Sequence, residues 1–298
     1  MIKQRTGKLE KLLAKVEGAA VVYAFSASQA ATLSFISLFK TGDKIMFNRK
    51  PDKTVSEYLK QEQLEVQLVD DFNQLSENDF ATVKGIFVET PSFPFWRVTD
   101  IQRINDLAHK HGILVAVDNS FLTPYYQKTL SYGSDFVIYS AIAYLSGRSD
   151  IVASFLATDN VVLAQKIEQM QKTAKPLAQA DENALIGGIE MLATRLDQRE
   201  VSTLVVIDFL QAHKAVKRVY YAGNYSRDEA DIQEAQATGI GAQLSFELAD
   251  NYDLAIFLAN LTQFAHAEVI ENLVQLTIGI ENKTDLIAEL AQAFEKSI

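Results

Sequence analysis

Short apolar runs alternate with segments of helical periodicity along the first half of the chain. Residues 8–17 place leucine and valine three or four positions apart, which predicts a helix with one buried face ending at Gly18. Further helices are predicted at residues 30–40, 54–61 and 101–109. Seven apolar runs of strand length stand between and after these helices, at residues 21–25, 44–48, 64–69, 83–89, 113–118, 136–139 and 151–157. This alternation predicts an α/β domain with a doubly wound, mostly parallel, seven-stranded sheet.

The pattern changes after residue 159. Residues 161–172, 182–194 and 201–213 carry helical periodicity without intervening strands. Three strands are then predicted at residues 216–221, 243–248 and 273–280, with helices at 252–263 and 284–296. This order predicts a small C-terminal α+β domain. We therefore expect a large domain over residues 1–195 and a small one over residues 196–298.

The strand at residues 113–118 is almost entirely apolar, as is typical of a strand buried on both faces of a parallel sheet. It ends in Asp118, and open α/β sheets bind their ligands at the carboxyl ends of such strands. A buried carboxylate without a partner costs several kcal/mol. We therefore expect a basic or multi-donor partner for Asp118, with Arg148 as the leading candidate. The turn at residues 26–29 joins a strand to a helix and is a candidate anion site.

Composition excludes several classes of function. The formal charge is −10 and the 28 lysines and arginines are scattered, which argues against a nucleic-acid surface. No apolar run approaches the roughly 18 residues of a membrane helix, and no signal core follows the first residues, so we expect a cytoplasmic protein without membrane contact. The chain has no cysteine and four histidines, and we expect no metal site.

Several motifs follow one another in a fixed order. Residues 140–150 read Ser-Ala-Ile-Ala-Tyr-Leu-Ser-Gly-Arg-Ser-Asp between two apolar runs. Residues 89–94 read Glu-Thr-Pro-Ser-Phe-Pro, and residues 117–124 read Val-Asp-Asn-Ser-Phe-Leu-Thr-Pro. Residues 244–248 and 276–281 carry Leu-Ser-Phe-Glu-Leu and Leu-Thr-Ile-Gly-Ile-Glu. Together these motifs resemble those of the pyridoxal-phosphate-dependent enzymes of cysteine and methionine metabolism, which include cystathionine lyases and synthases and methionine lyase.

The resemblance implies fold type I, the aspartate-aminotransferase type, and a carbon–sulfur lyase or transferase of trans-sulfuration. It also implies that Ala143 stands where the family has the lysine that holds pyridoxal phosphate as a Schiff base and shuttles protons. Alanine has no nitrogen for either role. No lysine occurs between Lys128 and Lys166, so no sequence neighbour obviously substitutes.

Other contacts implied by the resemblance have changed as well. The family's Ser-Gly-Met phosphate loop corresponds to Ala27-Ser28-Gln29, without the glycine that permits close approach. The arginine that reads the substrate carboxylate corresponds to Gln275, which lacks its charge. Phe93 replaces an asparagine beside the ring oxygen, and we expect its ring to fill part of the cofactor pocket.

Two of the cofactor contacts that the resemblance implies are unchanged in this chain. Asp118 would face the pyridinium nitrogen of the cofactor, and Ser140 its phosphate. Asp118, Ser140, Ser28 and Gln29 therefore form a vestigial cofactor site, in which we expect no covalently bound cofactor and at most weak, non-covalent binding of pyridoxal phosphate or another anion. The chain also starts near the family's Asn-Pro-Thr motif, so we expect a truncated member without the N-terminal arm.

These observations favour a pseudoenzyme: a catalytically degenerate homologue that serves as a non-catalytic binding, interaction or regulatory protein. We expect a homodimer, because family active sites lie between subunits, and an active paralogue is a possible partner. The alternative is a pyridoxal-phosphate-dependent carbon–sulfur lyase or transferase of sulfur amino-acid metabolism with an unusual or residual active site, whose lysine comes from elsewhere.

Overall fold

A computed structural model of the protein describes residues 7–173, 175–264, 266–270 and 272–298. Their contacts divide the chain into two compact units. One comprises residues 7–90 and 99–192, and the other residues 91–98 and 193–298. The short segment 91–98 therefore belongs with the C-terminal part of the chain.

The first unit is built on a mixed seven-stranded sheet, which confirms the predicted α/β fold. Its strands are β1 (Val21–Phe25), β2 (Lys44–Phe47), β3 (Glu65–Leu68), β4 (Val83–Glu89), β5 (Leu114–Asp118), β6 (Phe136–Ser140) and β7 (Ser154–Thr158). Their order in the sheet is β1-β7-β6-β5-β4-β2-β3. Strand β7 runs antiparallel to both of its neighbours, and the other pairs are parallel.

The α-helices of this unit, within its described residues, are α1 (Lys8–Glu17), α2 (Ala30–Ile36), α3 (Lys53–Gln61), α4 (Ile101–Lys110), α5 (Thr123–Tyr126), α6 (Val161–Thr173) and α7 (Gln179–Glu190). Helix α1 ends as predicted at Gly18, whose φ of 87° is the left-handed conformation that glycine adopts at low cost. Helix α2 ends four residues before the predicted position. The N–H groups of Leu38 and Phe39 donate three residues back, which tightens the chain out of the α-helix.

The sheet has an apolar core on each face. Ala116 of β5 belongs to one cluster with Phe35 and Phe136, whereas Val115 and Val117 belong to another. All three β5 side chains are almost fully buried. Strand β5 is therefore covered on both faces, as its continuous apolar run predicted.

The second unit contains all but the first residue of α8 (Leu192–Ala212), followed by β8 (Val216–Tyr220), α9 (Arg227–Gln236), β9 (Gln243–Leu248), α10 (Leu254–Ala259), β10 (His266–Ile270), β11 (Leu273–Thr277) and α11 (Lys283–Lys296). Its sheet has the antiparallel order β10-β11-β9-β8. The prediction of three strands was wrong. Strand β10 carries polar residues and is only partly buried, so it has no apolar run to predict it. Helix α9 is similarly charged and was missed, although Ser226 caps it.

Candidate functional site

A cavity of about 330 Å³ opens in the first unit, at the carboxyl ends of its parallel strands. Its wall is formed by the turn before α2, the loop between β2 and α3, and the ends of β4 and β5. The lining residues are Gln29, Thr32, Phe47, Asn48, Arg49, Lys50, Pro51, Asp52, Val55, Phe87, Glu89 and Asp118. This is the position where an open α/β sheet places a ligand, as the location of Asp118 predicted.

Asp118 is held by Ser120, two residues further along the chain. Its Oδ1 accepts the Ser120 N–H at 3.0 Å and the Ser120 hydroxyl at 2.5 Å. Oδ2 has no hydrogen-bond partner among the described residues. Burial raises the pKa of Asp118, and the two bonds from Ser120 and the nearby charge of Arg49 oppose that rise. The side chain therefore presents an acceptor to the cavity.

The expectation of a multi-donor partner for Asp118 is met by Ser120, and the choice of Arg148 was wrong. The Arg148 guanidinium pairs instead with Asp150, with Nε 2.8 Å from Oδ1 and an Nη2–Oδ2 contact of 2.5 Å. Both side chains of this pair are exposed. The Asp-Asn-Ser spacing was the signal for the true partner, because an aspartate readily accepts the N–H two residues further on.

Ser140 is linked to Asp118 through Ser120. The Ser140 N–H donates to Ser120 Oγ at 2.8 Å, and that hydroxyl donates in turn to Asp118. Ser140 also caps a one-turn helix at residues 141–145, since its hydroxyl accepts the Ile142 N–H at 3.3 Å. The backbone of Ala143 lies in that turn. Strand β6 and the turn thus place position 143 directly after Ser140.

The four predicted cofactor contacts do not all reach the cavity. Gln29 lines it together with Asp118 and precedes the first residue of α2. Ser28 and Ser140 are not among its described lining residues. The structure thus joins Asp118 to Ser140 by hydrogen bonds, and Asp118 to Gln29 through a shared cavity.

Sequence reasoning missed an ion pair in the cavity wall. Arg49 Nη1 lies 2.9 Å from Glu89 Oε2, and the Glu89 side chain is only 9% exposed. The side chain of Asn48 holds the backbone of Glu89 by two hydrogen bonds. It donates to the Glu89 carbonyl at 2.7 Å and accepts the Glu89 N–H at 2.9 Å. The signal was positional, because Glu89 ends β4 and Arg49 comes two residues after the end of β2, its parallel neighbour.

A second buried carboxylate, at the end of α1, was also missed. Glu17, at the end of α1, accepts a short hydrogen bond from the Tyr139 hydroxyl. Desolvation raises the pKa of Glu17 to about 7, although the Tyr139 bond opposes the rise. Asn119 Nδ2 lies 3.4 Å from the same hydroxyl and 2.7 Å from the Gln127 carbonyl. The residue after Asp118 thus belongs to a buried polar network.

Gln275 lies in the second unit, in the fully buried strand β11. Its Nε2 is 3.5 Å from Gln243 Oε1, which also accepts the Thr277 hydroxyl at 2.9 Å. Among the described residues its Oε1 has no hydrogen-bond partner. The neutral carboxamide of Gln275 cannot form the charged, bidentate pair that arginine makes with a carboxylate.

Phe93 also belongs to the second unit. Its ring lies 5.8 Å from that of Trp96, edge to face, and Trp96 donates its indole N–H to Ser245 Oγ at 2.9 Å. The hypothesis that Phe93 fills the cofactor pocket stays a prediction.

Within the described residues, no group of three or more histidine, aspartate or glutamate side chains is arranged to hold a metal ion. A search of the same residues found no helix both long and apolar enough to span a membrane.

The chain is similar to known enzymes over nearly its whole length. A family model described as "Cys/Met metabolism PLP-dependent enzyme" matches residues 3–270. Cystathionine beta-lyase of Lactococcus lactis subsp. cremoris is 31% identical over 97% of this chain and 85% of that protein. Cystathionine gamma-lyase of Bacillus subtilis is 28% identical over 96% of this chain and 85% of that protein.

Solved structures agree with these relatives. The crystal structure of cystathionine gamma-lyase from Lactobacillus plantarum, complexed with L-serine, has a TM-score of 0.89 at 28% identity and covers 97% of this chain and 85% of its own. The fold type I architecture implied by the motifs is thereby confirmed. The chain belongs to the family of pyridoxal-phosphate-dependent enzymes of cysteine and methionine metabolism.

Proposed function

We propose that this protein is a non-catalytic member of its family, which binds a small nitrogen-containing aromatic ligand without forming a covalent bond to it. The observation that carries the proposal is the state of Asp118. One carboxylate oxygen is held by Ser120 and the other is without a described partner, at the wall of a cavity of about 330 Å³. Pockets for small molecules start at about 300 Å³, so a single six-membered ring fits this volume.

The family's cofactor fits this site only in part. When bound, pyridoxal phosphate supplies an electron sink for carbanion chemistry. Asp118 suits a protonated ring nitrogen, because a charged acceptor in a partly buried site favours a cationic donor. Ala143, at the position that the resemblance assigns to the lysine, offers no amine for a Schiff base. The residues therefore support recognition of the ring and not covalent capture.

Replacing Asp118 by asparagine is expected to weaken binding of pyridoxamine by about 10- to 100-fold, the value of a hydrogen bond to a charged group. Pyridoxamine carries the ring nitrogen and no aldehyde, so it cannot react with surface lysines. Isothermal titration calorimetry measures the dissociation constants. Asp150→Asn is the matched control, because that carboxylate is exposed and pairs with Arg148. Equal affinities in wild type and Asp118→Asn would refute ring recognition by Asp118.

We further propose that the protein forms a homodimer and regulates an active paralogue by association. Val201 and Leu204 support this proposal, because they lie three residues apart on α8 and are 52% and 46% exposed. Light scattering measures the mass of the protein in solution. Co-purification with an active family member tests the proposed association with a paralogue.

One observation favours the alternative of a residual carbon–sulfur lyase or transferase. Lys50 lines the same cavity as Asp118 and carries an amine. Under our proposal, borohydride treatment after incubation with pyridoxal phosphate should trap no stoichiometric adduct on Lys50. Peptide mass mapping locates any adduct, and Lys53→Ala provides a control for surface labelling beside Lys50→Ala. An adduct that is lost only in Lys50→Ala, together with lyase turnover, would establish the alternative.

A further inference from the structure

The wall of the cavity carries charges of both signs. Its charged lining residues are Arg49, Lys50, Asp52, Glu89 and Asp118. The first three belong to the loop between β2 and α3, and the two others end the neighbouring parallel strands β4 and β5, where they are paired in register. A charge at the wall of a cavity needs a partner or water. The partners within the protein therefore identify which charges are left for a ligand.

Three of these charged groups are engaged by the protein itself. Arg49 Nη1 and Glu89 Oε2 form an ion pair at 2.9 Å. Asp52 caps α3, since its Oδ1 accepts the Val55 N–H at 2.9 Å. A carboxylate at the N-terminus of a helix is also stabilised by the helix dipole. Arg49, Glu89 and Asp52 thus have partners within the protein.

Lys50 and Asp118 are the two charged lining residues that remain. Among the described residues, Lys50 Nζ has neither a hydrogen-bond acceptor nor an ion-pair partner, and Asp118 Oδ2 has no donor. Lys50 is exposed, whereas Asp118 is half-buried. One cavity therefore offers an ammonium group and a carboxylate oxygen, both without a described partner. A ligand complementary to both carries an acidic group in addition to its ring nitrogen.

We infer that the ligand of this cavity is a nitrogen heteroaromatic acid of the pyridine carboxylate class, whose ring nitrogen pairs with Asp118 and whose carboxylate pairs with Lys50. This inference rests on the proposed function for the ring, and it makes Lys50 the specificity-determining residue for the acidic group. The cavity of about 330 Å³ admits one six-membered ring with a small substituent. Because Lys50 is exposed, its pair with the carboxylate is screened by salt.

The test compares pyridine-3-carboxylate and pyridine-4-carboxylate with the corresponding carboxamides, by calorimetry at low ionic strength. For at least one isomer, wild type should bind the acid about fivefold more tightly than the carboxamide, the upper end for an exposed ion pair. Lys50→Gln should abolish this preference and leave the affinity for the carboxamide unchanged. Lys53→Gln is the matched control, because that exposed lysine pairs with Glu57 and is not among the described lining residues. Equal affinities of acid and carboxamide for both isomers in wild type, or a preference that persists in Lys50→Gln, overturns the inference.

Benzoate separates a failure of this inference from a failure of the proposed function, because it carries the acidic group without the ring nitrogen. Wild type should bind benzoate about fivefold more tightly than Lys50→Gln does. The carboxamides carry the ring nitrogen without the acid, so their binding depends on Asp118 alone. If the carboxamides bind to no variant, the proposed function fails, and benzoate still decides whether Lys50 receives a carboxylate. Equal affinities of wild type and Lys50→Gln for benzoate overturn the inference, even if the carboxamides bind.

Discussion

Replacing Gly188 by alanine is expected to lower the free energy of unfolding by about 3 kcal/mol. Gly188 lies in α7, where a Cβ atom would stand 2.3 Å from the carbonyl oxygen of Ser146 and 2.7 Å from its carbonyl carbon. Both atoms belong to the backbone, so neither can rotate away as the end of a flexible side chain could. Ser146 directly follows the turn at residues 141–145, and the substitution would therefore push α7 away from the segment that carries Ala143.

Gly187 provides the matched control for this prediction. It is the preceding residue of the same helix, and a Cβ atom there would meet nothing within 4 Å. Gly187→Ala should raise the free energy of unfolding by about 0.5–1 kcal/mol, because alanine loses less backbone entropy in a helix. Urea denaturation followed by circular dichroism measures both variants. Equal effects of the two substitutions would show that α7 does not need the close approach to Ser146.

Glu17 is expected to make the protein less stable as the pH rises. Its pKa is raised from 4.5 to about 7 in the folded state, mainly by burial. Below pH 4.5 the Glu17 carboxyl is protonated in both the folded and the unfolded state, and its full contribution to the free energy of unfolding is present. Between pH 4.5 and about 7 Glu17 is ionised in the unfolded chain but still protonated in the folded protein, so the free energy of unfolding falls as the pH rises. Above this range the contribution of Glu17 is lost completely. A shift of this size corresponds to about 3 kcal/mol.

Glu17→Gln should remove this pH dependence, because glutamine cannot ionise and still offers an oxygen to the Tyr139 hydroxyl. Urea denaturation across this pH range measures the free energy of unfolding, which should fall for wild type and stay nearly level for the variant. Glu190→Gln, at an exposed position of α7, controls for the loss of one surface charge. A wild-type profile parallel to that of Glu17→Gln would show that Glu17 titrates normally in the folded protein.

The site was only partly predictable, for reasons that particular residues make clear. Asp118 and Gln29 were found because each stands at the end of a strand or the start of a helix, where local pattern predicts position. The Arg49–Glu89 pair depends on two segments 40 residues apart that meet at the sheet edge. Glu17 and Tyr139 are 122 residues apart, and no local signal connects them.

Ser154 illustrates the same limit at a single residue. In the sequence it is one small residue in an apolar run, and its hydroxyl reaches residues 123 and 127 positions away. Only the antiparallel insertion of β7 between β1 and β6 brings it under the turn at residues 27–31. A polar atom in an apolar strand acquires its role from the strands beside it.

The sequence by itself determined the seven-stranded sheet, its principal helices and the family, because hydrophobic periodicity and short motifs are local properties of the chain. The tertiary structure decided which groups became partners. It chose Ser120 over Arg148 for Asp118, joined Arg49 to Glu89, and placed Ser154 against the turn before α2. The physical reason is that hydrogen bonds and ion pairs require contact within about 3 Å, and the packing of distant segments sets those distances.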